Sequence, residues 1–386
     1  MALREPAVQR LEGALTDPGF SWTLCMVGED QSQKFSQLTG ELRAPFSRTG
    51  DGKRISSGFS YWGVESTVAW VHACSDLFYP VMRESIESFT RRWQRIGTAL
   101  EGQRFHYVSL GTGTGHKDHA VLERLRRGHP ELRYIPVDVS PEMLRLGQRE
   151  ALRNLDIPAG SVVPVQLDFS SARNVLGLRR LVERLVGDEP VVYSLLGNTL
   201  ANFEDDTALL ALLMGQLLRP QDRFMLEVAS TEQLDEAGAR AAAREYRASP
   251  RFGEFVTSAV MQYTDLRIDM DSVSFGAVVE EDRALLVKVV YRNRTGGQVR
   301  LTLPDRSSVE FPDEDTIRLL ITRKYSPAGL EKMLADAGAV EVGRTRSGFN
   351  AAIGEPRFGM DLVLLQAGSP PAPNGSHRPP APNPFG

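Results

Sequence analysis

Two cysteines, Cys25 and Cys74, in a chain of 386 residues exclude a disulfide framework and a cysteine-built metal cluster, and they fit a reducing compartment. No window approaches the ~20 consecutive apolar residues that a membrane span requires. The first residues carry Arg4, Glu5 and Arg10 where a signal peptide would place its apolar core, so the expected location is the cytoplasm and no membrane association is expected. An excess of charge is missing too. With 45 basic and 49 acidic side chains the net charge is −4, which gives no global attraction to nucleic acid and leaves a small molecule as the expected partner. Internal repeats are absent, while the length suffices for a large core and two lobes.

What is present begins at Tyr107. From there to Ser230 short apolar runs ("YVSLG", "RYIPVDV", "VVPVQLD", "VVYSLLG", "RFMLEVA") alternate with helix-period segments over Lys117–Arg127, Pro141–Leu155, Ser171–Val186 and Glu204–Leu218. That alternation predicts a doubly wound α/β core, a parallel sheet covered on both faces. Ser140 followed by Pro141 marks a helix start. Past Ser230 an alanine-rich helical piece leads into "LRIDMDSVSFGAVV", "ALLVKVVYRN", "QVRLTL" and "SVEF", read as antiparallel strands of an inserted lobe. "SPAGLEKMLADAG" then returns to a capped helix, and "AVEVGRTR" and "MDLVLLQA" read as a closing hairpin. Ala2–Leu15 and Tyr79–Leu100 read as helical, Gly28–Ser60 has no clear assignment, and the proline-rich end reads as a disordered tail.

The first strand runs into Gly111, Gly113 and Gly115, where a bare backbone can approach a ligand at a helix N-terminus. Asp138 ends the neighbouring strand, where a carboxylate accepts from both hydroxyls of a ribose. Its competing role as a helix cap is already filled by Ser140. Asp168, with Phe169 beside it, ends the third strand and suits the amino group and face of an adenine, against the alternative of capping the helix that follows. Gly197, Asn198 and Asn202 of "LLGNTLANF" lie over the same crevice. Both a dinucleotide and S-adenosylmethionine fit this geometry; the closing hairpin belongs to a methyltransferase sheet and is not required by a dehydrogenase.

The run "LGTGTGHK…YIPVDVS…LDF…LLGNTLANF", followed by "LRIDM" and "TRKYSPAGLEKMLADAG", resembles the histidine-specific methyltransferase family of the ergothioneine pathway, patchily over Tyr79 to Ala367. The resemblance implies a seven-stranded Rossmann-like class I methyltransferase core with an inserted α+β substrate-binding lobe, and S-adenosyl-L-methionine as cofactor. It implies cofactor contacts from Gly111, Gly113, Lys117, Asp138, Asp168, Phe169 and Gly197. On the acceptor side it implies Asn202 at the amino-acid head group, where it also orients the reacting atom, with Met270 in the pocket, Thr322 where a serine is expected, and Tyr79 bracketing the substrate. It also marks a departure: Leu320 stands where the family has a glutamate that grips imidazole. A tyrosine expected after the fifth strand has only Tyr246 as a shifted counterpart.

The expected function is therefore methylation of a small molecule, at nitrogen of an amino-acid derivative or heterocycle in a specialised pathway and not of histidine itself. Carbon or oxygen methylation, a nicotinamide-dependent oxidoreductase and a catalytically idle cofactor-binding protein are the alternatives. Methyl transfer needs no metal. The expected division is a substrate lobe of residues 1–79 and 232–322, a core of 80–231 and 323–367, and a tail of 368–386. His116 is a candidate base set against a capping role, His72 reads as a hydrogen-bonded core residue, and Tyr61 and Trp62 either line the pocket or pack the lobe.

Overall fold

The computed structural model describes residues 25–28, 34–348 and 356–368. The expected helix Ala2–Leu15 lies outside the described residues, as does the expected tail apart from Gly368. Within the unassigned Gly28–Ser60, α1 (Lys34–Leu42) forms; α2 (Val64–Cys74) follows. The expected helix Tyr79–Leu100 is broken into α3 (Pro80–Glu87), α4 (Phe89–Ile96) and a 3₁₀ turn, Gly97–Leu100. Ser88 stands at the break: its hydroxyl donates to the Glu84 carbonyl at 2.6 Å and accepts from Arg92 Nε at 3.0 Å, a competition with the helical ladder that bends helices.

Five parallel strands then build the core: β1 (His106–Leu110), β2 (Tyr134–Asp138), β3 (Val165–Gln166), β4 (Val191–Leu195) and β5 (Arg223–Thr231). Between them run α5 (His116–Gly128), α6 (Pro141–Ala151), α7 (Ala172–Val186) and α8 (Asp206–Leu212), the last widening into a π turn, Leu213–Leu217. Ser140 caps α6, accepting from the Met143 N–H at 3.1 Å. Every residue of β1, β2 and β4 is buried, because strand alternation feeds two clusters. Tyr107, Tyr134 and Val192 pack with Trp93 and Val121 on one face, while Val108, Ile135 and Tyr193 pack with Leu178 and Leu210 on the other.

The insertion opens with α9 (Glu236–Arg247) and α10 (Pro250–Tyr263). Its strands β6 (Val273–Glu280), β7 (Ala284–Arg292) and β8 (Thr316–Tyr325) pair antiparallel in that order, with a small hairpin of Val299–Thr302 and Ser308–Phe311 attached between β7 and β8. Strand β8 crosses the expected lobe boundary at residues 322 and 323. The chain closes with α11 (Pro327–Asp336), capped by Ser326, then β9 (Ala339–Gly348) and β10 (Phe358–Ala367).

Strand β10 lies antiparallel beside β5, and β9 beside β10, so the core order is β3-β2-β1-β4-β5-β10-β9 with one reversed strand. This is the expected seven-stranded arrangement. The lobe grows from the same sheet. Strand β10 covers one edge of β5 from Phe224 to Thr231, β4 covers the other only as far as Leu226, and beyond it Ser230 pairs with Tyr325 of β8. The lobe therefore stands at the carboxyl ends of the central strands, where α/β sheets bind ligands. No helix among the described residues is long and apolar enough to cross a membrane.

Candidate active site

A cavity of about 450 Å³ opens between the carboxyl edge of the core sheet and the lobe, a size typical of small-molecule sites. Its floor is the glycine turn after β1. Gly113 (φ 51°) lines the cavity, and a Cβ there would meet no atom within 4 Å, so the space beside it is open to a ligand. Gly115 (φ 82°) serves packing instead: a Cβ would stand 2.1 Å from the Gly147 carbonyl oxygen, and its absence lets α5 dock on α6.

Asp138 ends β2 on the cavity wall, 6% exposed. Its carboxylate accepts the Thr112 N–H at 3.1 Å and the Ser140 N–H at 3.0 Å, which ties the glycine turn to the neighbouring strand. Burial pushes its pKa up to about 6 against these donors. No cation pairs with it among the described contacts, so it is a desolvated acceptor with lone pairs to spare, which the two hydroxyl donors of a ribose diol complement. Below the turn, Asp118 accepts from Tyr107 and Tyr134 hydroxyls at 2.7 and 2.6 Å and pins α5 to the sheet; burial raises it to about 6 as well.

Asp168 and Phe169 line the same cavity. Ser170 donates to Asp168 through its backbone N–H at 3.0 Å and its hydroxyl at 2.6 Å, and Asn174 donates to the Asp168 carbonyl at 2.9 Å. The cap of α7 is Ser171, not Asp168. Lys34, arriving from α1, ion-pairs with Asp168; although burial opposes it, this cation helps hold the carboxyl below its usual range. Nothing in the sequence around Lys34 announced this contact.

Lys117 points under the Gly197 turn, where it bonds Ser85 and Glu227. Glu227 is fully buried, accepts the Gly197 N–H at 2.8 Å and pairs with Arg92 at 2.5 Å. Burial would raise Glu227, yet Lys117 and Arg92 outweigh it and keep the acid low, while burial lowers Lys117. One acid inside the apolar strand "RFMLEVA" was the available sequence signal for this cluster.

Asn198 and Asn202 have different duties. Asn198, in the left-handed region at φ 66°, is buried and accepts the Ala229 N–H at 2.7 Å; it donates to Thr322 Oγ1 and the Arg323 carbonyl, both at 3.1 Å. It joins core to lobe. Asn202 lines the cavity and donates to the Tyr61 hydroxyl at 3.1 Å. Tyr61 also lines the cavity and packs edge-on to Trp70 at 5.2 Å, whereas Trp62 packs with Phe35, Phe59 and Tyr263. The "GFSYW" cluster thus does both jobs.

Leu320 forms part of the cavity wall, 4% exposed. Tyr79, Tyr246 and Thr322 come together behind that wall: the two rings lie 5.7 Å apart, and Thr322 and Tyr79 are near enough to the Tyr246 hydroxyl to lower its pKa against the rise from burial, so the shifted tyrosine does meet Tyr79. None of the three is among the cavity-lining residues. Met270 lies outside the cavity, 42% exposed in a surface turn with its methyl against Gly253, because the "LRIDM" segment precedes β6 instead of forming part of it. His116 is exposed and bonds Thr114. His72 is exposed, not in the core as expected, since its position on α2 faces away from Trp70 and Ala73.

A second cluster, His106, His129 and Glu189, converges at the opposite end of the sheet. Its geometry is that of hydrogen bonds. His106 Nδ1 accepts the Arg133 N–H at 2.9 Å, so the ring proton sits on Nε2 and faces Glu189 at 3.1 Å, leaving no lone pair for a metal. Burial first, then the neighbouring His129, lowers His106 to about 4.

A family model described as "Histidine-specific methyltransferase, SAM-dependent" matches residues 65–345. No curated protein matches the chain. Similar solved structures include a S-adenosylmethionine-dependent methyltransferase from Clostridium acetobutylicum, 14% identical with a TM-score of 0.36 over 72% of this chain and 92% of that one. The glycopeptide N-methyltransferase MtfA in complex with sinefungin is 15% identical, with a TM-score of 0.34 over 74% and 94%. The 1,6-didemethyltoxoflavin-N1-methyltransferase of Burkholderia thailandensis is 13% identical, with a TM-score of 0.35 over 82% and 92%.

Proposed function

Because this chain belongs to the family of histidine-specific, SAM-dependent methyltransferases, we propose that it methylates a nitrogen of an amino-acid derivative or heterocycle other than histidine, in a specialised cytoplasmic pathway. It is a SAM-dependent methyltransferase, and its cofactor is S-adenosyl-L-methionine. The observation that carries the reading is one cavity shared by the glycine turn, Asp138, Asp168 and Asn202. The open space at Gly113 and the desolvated Asp138 carboxylate fit a nucleoside. In this assignment Asp138 holds the ribose, Asp168 and Phe169 the adenine, and Gly111, Lys117 and Gly197 the methionine end.

The cofactor supplies a methyl group on a sulfonium, whose positive charge disperses as the methyl leaves. The protein's share is alignment in a dry site. Asn202 orients the acceptor: its amide donates to Tyr61, which leaves the amide oxygen to accept an N–H of the amine and turn the nitrogen lone pair toward the methyl. With the cofactor bound, its sulfonium would supply the methyl to that lone pair and keep the S–C bond pair, and the amine would give up its proton to solvent. Leu320 on the cavity wall supports exclusion of histidine, since a buried leucine cannot accept an imidazole N–H.

The acceptor wall draws on Tyr61 and Trp70 before the core and Leu320 after it, which supports a substrate lobe made of residues 1–79 and 232–322 around a core of 80–231 and 323–367. Equilibrium binding and labelled-methyl transfer to an amine panel test the reading. Binding of S-adenosylhomocysteine without binding of NADH, together with methylated amine product, is expected; NADH binding, or label transferred only to carbon or oxygen acceptors, contradicts it.

A further inference from the structure

The acceptor end of the cavity has a chemistry of its own. Its wall is made by Trp70, Met82, Ile86 and Leu320, with Cys74 between them, and burial holds the Cys74 thiol up at about 12, so it is neutral. Charged groups also line the cavity: Asp138, near enough to raise the Tyr61 pKa, is the acceptor assigned to the ribose, and the others are engaged with partners of their own. Asp168 is paired with Lys34, Arg318 with Glu204 and Lys117 with Glu227. Asp118 is bonded by tyrosine hydroxyls, and Asp205 caps α8 through the Ala208 N–H at 2.8 Å.

Among the polar residues that line the cavity, Tyr61 and Asn202 form a hydrogen-bonded couple. Tyr61 takes the Asn202 N–H, and among the described residues no acceptor is recorded for its own hydroxyl hydrogen. Burial pushes the Tyr61 pKa far up, so that hydrogen stays in place as a donor. Its ring cannot swing away easily: Trp70 stands edge-on at 5.2 Å and Phe255 tilts against it at 5.1 Å, with Trp70 and Phe255 themselves 4.9 Å apart. One donor and one amide acceptor, side by side above an aromatic and aliphatic wall, match the carboxylate and the amine of an α-amino acid on an apolar body, the hydroxyl donating to the carboxylate so that the amine lone pair stays free for the methyl.

We propose that the methyl acceptor is an α-amino acid bearing an aromatic or large aliphatic side chain, with Tyr61 as a specificity-determining residue that orients its head group through the carboxylate. This rests on the reading of the site as a SAM-dependent N-methyltransferase. A charged or hydrogen-bonding side chain would lose its water against Trp70, Met82 and Leu320 and find no free partner, which penalises it by at least about tenfold in affinity.

The test is calorimetric titration of the full chain, saturated with S-adenosylhomocysteine, with L-phenylalanine, L-tryptophan, L-leucine, L-histidine and L-glutamate. If S-adenosylhomocysteine itself does not bind, the cofactor reading fails first. If it binds, an apolar amino acid is expected to bind at least about tenfold tighter than histidine and glutamate. Equal or tighter binding of histidine, or no binding by any apolar member, overturns the proposal. Tyr61→Phe, which keeps the ring packing, is expected to lower kcat/KM for the preferred acceptor about tenfold or more with S-adenosylhomocysteine affinity unchanged; an unchanged kcat/KM removes Tyr61 from the role. Leu320→Gln is expected to narrow the apolar preference, and Leu320→Met to preserve it, so loss of folding in one leaves the other to decide.

Discussion

Asp138 shows how a single residue can serve fold and ligand at cross purposes. Burial raises its pKa to about 6, so the folded protein holds a proton there that the unfolded chain, with an ordinary aspartate, has already lost between about pH 4 and 6. Its ionised form therefore costs stability as pH rises through that window, while a ribose diol calls for the ionised acceptor. The expected result is S-adenosylhomocysteine affinity that is level above pH 7 and falls up to about tenfold per unit below pH 6, measured by calorimetry across pH 5 to 8. A profile flat to pH 5 would separate Asp138 from the ligand. The same residue scale explains what the sequence concealed. Asp138 and Asp168 stood at strand ends and were legible there, but Lys34 reaches Asp168 from 134 positions away, and no local pattern predicts so distant a partner.

At the scale of elements, the glycine turn divides into two functions that a motif does not distinguish. Gly113 faces open space and Gly115 faces the Gly147 carbonyl. Gly113→Ala is expected to cost the fold about 1 kcal/mol for its left-handed φ while blocking the ligand, so melting temperature changes little and S-adenosylhomocysteine binding is lost. Gly115→Ala adds a clash to that strain and is expected to cost 2 kcal/mol or more, about the scale of overpacking, seen as a clear fall in denaturation midpoint. Similar midpoints for the two variants would contradict the assignment. Elements with regular spacing were the readable ones: the five parallel strands, their crossover helices and the closing pair lie close to where periodicity puts them. Strand β8 was not recognised, because "TIRLLITRKY" carries three cations where a buried strand should be apolar. Each is buried against an acid, Arg318 on Glu204, Arg323 on Glu280 and Lys324 on Glu245. The expected helix Glu204–Leu218 runs from Asp206 to Leu217, and what went unread is that its final turn widens to a π turn, a distortion without a compositional mark.

At the scale of the whole molecule, the site exists because one sheet forks. Strand β5 outruns β4, and the freed edge receives β8, which brings Leu320 and its neighbours over the crevice at the carboxyl ends of the strands. Asn198 fastens the fork from the end of β4, bonding Ala229 of β5 and both Thr322 and Arg323 of β8. Asn198→Ala would leave three buried partners unsatisfied and force alanine toward a left-handed φ, an expected loss of about 3 kcal/mol in chemical denaturation with activity reduced alongside; an unchanged midpoint would deny the fork this role. The cofactor half of the site was readable because its residues follow one another along a single winding of strands and helices. The other half was read only in part: Asn202, Leu320 and Tyr61 line the cavity, but Trp70 went unnoticed and Tyr79, Met270 and Thr322 lie off it, because this wall is assembled only after the insertion folds back on the core. The claim on which the rest depends is that the crevice between these halves holds the nucleoside cofactor with its reactive end toward the acceptor chamber. A crystal structure with S-adenosylhomocysteine tests it most directly. The account predicts the ribose hydroxyls on Asp138 and the sulfur facing Asn202; a ligand bound elsewhere, or with its ribose away from Asp138, would contradict it.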